Sequence, residues 1–478
     1  PPGKTGGIVM LHDGGGNRSQ TVAAVARLIP LLRARGFRFV TVSALAGLPR
    51  AAIEPTASGW ERRRGTIFAA AVRFGFILVR VLLFAVGVVG ILFALRVALV
   101  LGLAIYQRRS TSRRPPAPPY LPSVVVVVPA YNEAVGIERA VRSLAASDYP
   151  DFEVVVVDDG STDNTAEIVE RLALERVRLL RKSNGGKASA LNAGIEASTA
   201  PVVVMVDGDT VFEPEALRRL VQPLGDASVG AVSGNTKVGN RRGMLGRWQH
   251  IEYVTGFNLD RRMYEVLQCT PTVPGAIGAF RRDALADVGG VPGDTLAEDT
   301  DLTLAIGRTG RRVVYAQDAR AWTEAPSSLG DLWRQRYRWS YGTMQAVWKH
   351  KRALLTRDPR ERRIGRLALP YMLLFQILLP ILAPLVDLFA LYGLLFSNAL
   401  PVLAFWLGFN ALQLLLATFA FRMDNESLRP LWALPLQQFV YRQLMYVVII
   451  ESTVSALVGA RAHWRHLTRT GDVEVKPA

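Results

Sequence analysis

The chain has 478 residues, half of them hydrophobic, and a formal net charge of +17 from 57 Lys and Arg against 40 Asp and Glu. Its length suggests two or three domains, and its single cysteine, Cys269, excludes an intrachain disulfide and a cysteine-based metal site. The positive excess is not strung along aromatic-studded strands or one recognition helix, which argues against nucleic acid as the partner. It lies beside apolar tracts, as at a cytoplasmic membrane surface: Lys349, Lys351, Arg352, Arg357, Arg360, Arg362, Arg363 and Arg366 directly precede a long hydrophobic run.

Residues 1–58 open inside what reads as a domain and show no secretory signal, so the start is expected to be that of a fragment. Residues 67–106 are expected to hold a transmembrane segment, since Arg73 to Tyr106 is almost wholly apolar and a span needs about 20 such residues. Arg80 and Arg96 are expected toward the ends of one tilted helix, where they can snorkel. Residues 107–122, with four arginines and five prolines, read as a linker leaving the membrane.

From 123 to 330 short β-branched runs alternate with helical stretches, the pattern of an α/β domain. The runs 124–128, 154–157 and 202–206 are apolar on both faces, as central parallel strands must be when helices cover both sides. Residues 137–146 and 165–174 are the intervening helices. Residues 331–366 form an amphipathic, aromatic-rich interfacial helix and a basic segment. Residues 367–460 hold three apolar tracts, 367–396, 402–421 and 431–458, and three crossings, or four, are expected. Pro370, Pro380 and Pro384 leave the first tract open between one kinked span and an interfacial helix followed by a span. The basic tail, 461–478, prefers the cytoplasmic side, yet an internal catalytic domain followed by three crossings would place it outside.

Ligands of open parallel sheets bind beyond the carboxyl ends of the strands, and acidic signatures stand there. After the first strand, Ala130, Tyr131, Asn132 and Glu133 supply an aromatic ring, an amide and a carboxylate, suited to a base and ribose; a capped strand-to-helix loop is the plain alternative. Asp158, Asp159 and Asp163 end the second strand, where Asp also makes ordinary turns and caps. Asp207 and Asp209 end another; in an extended segment alternate side chains point the same way, giving two hard oxygen ligands for Mg²⁺ or Mn²⁺. Lys187 stands in a Gly-rich turn where it can add charge near phosphates, or remain a solvated turn lysine. Glu298 and Asp299 begin a helix, where acidic residues complement the dipole, but a general base must also be a carboxylate within reach of an acceptor hydroxyl. Gln335, Arg338 and Trp339 share one helical face and could grip pyrophosphate and stack on a sugar ring.

Together, Pro129 to Glu133, Asp158 to Ser161, Asn184 to Asn192, Asp207 to Asp209, Glu298-Asp299 and Gln335 to Trp339 resemble the processive family 2 glycosyltransferases, which include the cellulose, chitin, hyaluronan and poly-N-acetylglucosamine synthases. The resemblance covers about residues 123–471. It implies an α/β GT-A catalytic domain, Rossmann-like with a mostly parallel sheet, plus transmembrane helices in a bacterial-type plasma membrane, with the catalytic domain cytoplasmic. It implies a UDP-sugar donor held by Ala130, Tyr131, Glu133, Asp159, Lys187, Asp207, Gln335 and Arg338, and a Mg²⁺ or Mn²⁺ on Asp207 and Asp209. Asp299 would be the base. Gly275, Ala276 and Gly278 of the segment Pro274 to Phe280, with Glu298 and Trp339, would contact the acceptor, a growing polysaccharide. Ala297 departs from the Thr common before Glu-Asp. An accessory membrane subunit is a further possible partner.

Residues 7–13, 28–35 and 36–40 resemble the end of a polysaccharide deacetylase domain, with His12 matching its late catalytic histidine. The metal-binding motifs that precede it in that family are missing, so no deacetylation is expected. A deacetylase fused to a synthase points to an N-acetylated polymer, hence to N-acetylglucosamine. The competing readings are a transferase adding one sugar to a lipid-linked acceptor, and a catalytically inactive export subunit.

Overall fold

The computed structural model describes residues 7–11, 18–53, 56–113, 118–396, 399–459, 471 and 473. It divides into two units, Pro1–Leu83 and Phe84–Ala478. In the first unit the described elements are helical: Ser19–Ala34, two single turns, and the start of a long helix, Gly59–Arg113. His12 lies outside the described residues. The helix Gly59–Arg113 runs through the tract expected at 67–106 and on to Arg113, into the segment expected as a linker.

The second unit is built on an eight-stranded sheet in the order β3-β2-β1-β4-β7-β6-β8-β5. Strands β1 (Val124–Ala130), β2 (Phe152–Asp158), β3 (Val177–Arg181) and β4 (Val202–Met205) are mutually parallel. β5 is Val211–Phe212, β6 Val229–Val238, β7 Gly278–Arg281 and β8 Arg312–Thr323. β7 runs antiparallel between β4 and β6, while β6 and β8 are parallel.

The valine runs form central strands because branched side chains on both faces can be buried at once. Val124, Val126 and Val128 enter one core, with Ile137, Val141 and Leu144 of the helix Ile137–Ala145. Val125 and Val127 enter the other, with Ala190, Leu191 and Ile195 of the helix Lys187–Glu196. The period of two along the strand thus divides one valine run between two cores.

A third core joins Val97, Val100 and Ala104 of the long helix to Trp248, Ile251, Ile364, Phe421 and Tyr441. Three helices are long and apolar enough to cross a membrane among the described residues: Gly59–Thr111, Ile364–Phe396 and Ala399–Met423. The first C-terminal tract is thus one continuous run; π-helical turns at Ile364–Ala368 and Met372–Leu378 flank Pro370 and precede Pro380. The longest helix in the third tract is the 18-residue Tyr441–Val458, which is not among the three.

Arg96 does not snorkel. Its guanidinium pairs with Asp260 at 2.6 Å, donates to the Tyr371 hydroxyl at 2.7 Å and lies over the Phe375 ring. A paired, hydrogen-bonded charge needs no route to water.

From the tail, Val473 packs with Val211 and Trp322, and Arg139 donates to the carbonyls of Gly471 and Val473 at 2.6 and 2.9 Å. The Gly471 N–H donates to Glu324 at 3.0 Å.

Candidate active site

Three strand ends converge as expected, and backbone hydrogen bonds hold them. The Asp159 N–H donates to the Ala130 carbonyl at 2.9 Å, and the Val206 N–H to that of Val127 at 3.1 Å. Asn132 adopts φ 55°, its N–H donates to the Ser161 hydroxyl, and its amide oxygen accepts from the Thr162 N–H at 2.8 Å. The Glu133 N–H is bound by the Thr165 hydroxyl at 2.9 Å. The first two motifs therefore form one cross-linked rim carrying Tyr131 and Glu133.

Asp159 is buried and accepts three bonds: from Lys182 at 2.6 Å, the Gly185 N–H at 3.0 Å and the Gly186 N–H at 2.7 Å. Gly160, at φ 75°, lets this loop close in, for a Cβ there would stand 2.9 Å from the Asn184 nitrogen. Asp159 thus anchors the turn that presents Lys187. Lys182, which sequence reasoning passed over, is its charge partner.

Lys187 sits between two carboxylates, 2.7 Å from Asp207 and 2.8 Å from Glu298. Burial opposes its charge, but Asp207, Glu298 and Asp299 outweigh it and hold the ammonium well above the ordinary lysine range. These four side chains line one recess of about 330 Å³, counting space open to solvent, with an apolar back wall that includes Leu191, Met205 and Phe280. Gly275 closes a side, since a Cβ on it would fall 2.6 Å from Lys187 Nζ and 3.1 Å from Asp207. The Gly275 loop is pinned to the helix Glu298–Arg308: the Val273 N–H donates to the Thr303 hydroxyl, and the Thr272 and Thr300 hydroxyls meet at 2.8 Å. Ala276 is buried beside it, and Gly278 starts β7.

Asp299 accepts from the Thr300 N–H at 2.7 Å. Burial and the neighbouring Glu298 charge push its carboxyl up to about 6, against the opposing pull of Lys187 and the Thr300 N–H. A carboxyl so placed is a base near neutrality.

The expected extended geometry at 207–209 is corrected. The segment is a turn, closed by the Thr210 N–H on the Asp207 carbonyl at 3.0 Å. Asp207 lines the recess, whereas Asp209 is buried against Gly136 and accepts from the Thr323 hydroxyl at 3.3 Å. Turn closure removes the alternation on which the expectation of two co-directed ligands rested. No cluster of three or more His, Cys, Asp or Glu with metal-holding geometry occurs among the described residues. The recess nonetheless sets three carboxylates against one ammonium, and its hard oxygen donors suit Mg²⁺ or Mn²⁺ sharing a phosphate-bearing ligand.

The helix Leu329–His350 does not lie free on a surface. It packs against the helices Glu298–Arg308 and Tyr441–Val458, burying Gln335, Arg336, Tyr341, Gly342 and His350. Gln335, Arg338 and Trp339 do not line the recess. Trp339 stacks edge-on to Phe257, and Arg336 covers its ring at 4.1 Å while pairing with Glu252. Arg336, inside the predicted trio but not of it, carries this contact; its i+1 offset from Gln335 hid it from a face-sharing argument.

The mostly parallel α/β sheet, with acidic residues at its strand ends, has a GT-A-like glycosyltransferase fold. Residues 122–342 match the family described as "Glycosyltransferase like family 2". Poly-beta-1,6-N-acetyl-D-glucosamine synthase of Staphylococcus aureus is 31% identical over 225 residues, 46% of this chain and 55% of that protein. The synthase of the same name from Staphylococcus epidermidis is 32% identical over 217 residues, 44% of this chain and 52% of that protein. The chain thus spans about half the length of these relatives. A mannosyltransferase from Pyrobaculum calidifontis, solved in complex with GDP-Man and Mn²⁺, superposes with TM-score 0.54 at 26% identity, covering 79% of this chain and all of that one.

Proposed function

We propose that the protein transfers N-acetylglucosamine from a UDP donor to a growing β-linked polysaccharide, with inversion, and that its C-terminal helices conduct the product across the membrane. The observation that carries this reading is the Asp299 carboxylate, raised to about 6 and facing a recess it shares with Lys187, Asp207 and Glu298.

Asp299 takes the proton of the acceptor hydroxyl as its oxygen attacks the anomeric carbon in line. The new C–O bond forms on the face opposite the breaking bond to UDP, which inverts the centre. Lys187 offsets diphosphate charge from inside the site, and the Gly275 loop leaves room because it carries no side chain. Asp207, which lines the recess, would hold Mg²⁺ or Mn²⁺, which when bound neutralises charge developing on the departing diphosphate, while Asp209, held by the Thr323 hydroxyl, supports the turn. Asp159 supports the donor side through the 182–186 loop, next to Tyr131 and Glu133 on the rim. Ala276, Gly278, Gln335, Arg338 and Trp339 belong to the acceptor path and diphosphate clamp in this reading. A catalytic domain on the cytoplasmic face, where UDP-sugars are present, and a multi-pass membrane location follow from the same reading.

The names of the relatives support the sugar, and the Mn²⁺ and GDP-Man of the mannosyltransferase support a nucleotide-sugar donor with a divalent metal. The test is a donor screen with labelled UDP-GlcNAc, UDP-Glc and UDP-GlcA in membranes carrying the protein, followed by linkage and length analysis of the product. Long β-linked N-acetylglucosamine is expected. Single-sugar lipid products would make it a non-processive transferase, and no transfer from any donor with Mg²⁺ or Mn²⁺ would make it an inactive subunit.

A further inference from the structure

Two buried ionisable groups have no part in the chemistry above, yet they lie directly behind it. Asp301, two residues past the base, is fully buried, and its carboxylate is saturated. One oxygen meets His350 Nε2 at 2.8 Å; the other accepts from Lys349 at 2.7 Å and from the Thr295 hydroxyl at 3.2 Å. His350 is buried too, and Arg308 Nη1 lies 3.0 Å from its Nδ1. A guanidinium can only donate, so Nδ1 must be the acceptor and the ring proton must sit on Nε2. His350 Nε2 is thus the atom that donates to Asp301. Arg308 in turn pairs with Glu361 at 2.7 Å, three residues before the helix Ile364–Phe396 begins.

The helix Leu329–His350, which carries His350, grips the loop before Glu298 at two more points, Leu296 and Ala297. The Leu296 N–H donates to the Gln345 amide oxygen at 2.9 Å. At Gly342 the backbones are so close that a Cβ would stand 2.6 Å from the Ala297 nitrogen. The small Ala297 before Glu298-Asp299 fits this approach.

We propose that Asp301 and His350, with Gln345, are positioning residues that set Asp299 relative to the acceptor by locking the helix Glu298–Arg308 to the helix Leu329–His350. This rests on the reading of Asp299 as the base. A chain of contacts from Asp301 through His350 and Arg308 to Glu361 ties that setting to the start of a membrane-length helix. Near-attack geometry is sensitive to displacements of about 1 Å, so loosening the lock lowers turnover without removing a donor contact.

The test uses the full chain in membranes, with UDP-GlcNAc as donor and UDP as binding probe. His350→Leu is expected to lower kcat about tenfold to a hundredfold while KM for the donor and UDP affinity stay within about twofold. His350→Gln, which keeps an N–H for Asp301, should restore most of the rate. Turnover of His350→Leu at the parent rate overturns the proposal. So does joint loss of turnover and UDP binding in both variants, which would mark a general packing role. If His350→Leu does not accumulate, Gln345→Met must show the same kcat-only loss, and unchanged kcat there overturns the proposal. Asp299→Asn separates the two readings: full activity in it defeats the base assignment, whereas its inactivity beside a fully active His350→Leu defeats positioning alone.

Discussion

At the scale of the residue, the site works by setting charges against one another where water is scarce. Lys187 pairs with both Asp207 and Glu298, and Asp299, buried beside the Glu298 charge, is the carboxyl whose proton affinity rises. Replacing Asp299 by Asn should lower polymer synthesis by at least about a hundredfold while UDP still binds, measured by label incorporation and by UDP titration of the same membranes. A base must be deprotonated to act. A carboxyl raised to about 6 is therefore expected to give a rate that is full above pH 7 and falls tenfold per unit below about pH 6. A rate flat down to pH 4.5 would remove Asp299 from that role. Gly275→Val should abolish donor binding, because its side chain would occupy the space held by Lys187 Nζ and the Asp207 carboxylate.

At the scale of the element, the membrane helices are tied to the sheet by buried charge. Lys237, near the end of β6, pairs with Asp424 and, at 3.0 Å, with Glu426, both just past the helix Ala399–Met423. Asn235 and Asn258 donate to Asp424, and Arg241 pairs with Glu426 at 2.8 Å. Breaking one side of such a pair strands the other charge in the interior. Asp424→Leu is expected to destabilise the protein by about 3–5 kcal/mol, whereas Lys237→Met with Asp424→Leu costs less. Thermal unfolding of the detergent-solubilised protein measures both. None of this network was legible from the sequence, because Lys237 and Asp424 stand far apart in the chain and belong to no motif. The Val runs of β1, β2 and β4 were legible, since burial on both faces writes itself as an unbroken apolar stretch.

At the scale of the whole molecule, the tail bears on the membrane arrangement. Gly471 and Val473 rest on Arg139, Glu324 and Trp322 of the catalytic domain, so a membrane lying between domain and tail must be crossed an even number of times. The helices Ile364–Phe396 and Ala399–Met423 are long and apolar enough for two crossings, and two would remove the conflict between a basic tail and three crossings. Cys269 makes this testable, for it is buried and its thiol is pushed up to about 12, leaving it unreactive at neutral pH. A cysteine introduced at Ala478 and one at Glu153 should react with an impermeant maleimide from the same side of sealed vesicles. Labelling from opposite sides would rule out the seated tail.

The α/β domain, the strand-end placement of Asp159 and Asp207, the helix-start placement of Asp299 and the membrane-length helices were all legible along the chain. Each is a local property: apolar period, run length, and a carboxylate directly after a buried strand or in the first turn of a helix. It took the folded chain to show that Asp209 turns away from the recess, that Arg96 is paired rather than snorkelling, and that Asp301 and His350 bond to each other behind Asp299. Those outcomes depend on which distant groups meet in a low-dielectric interior, where an unpaired charge is costly, and no spacing along the chain records such a meeting.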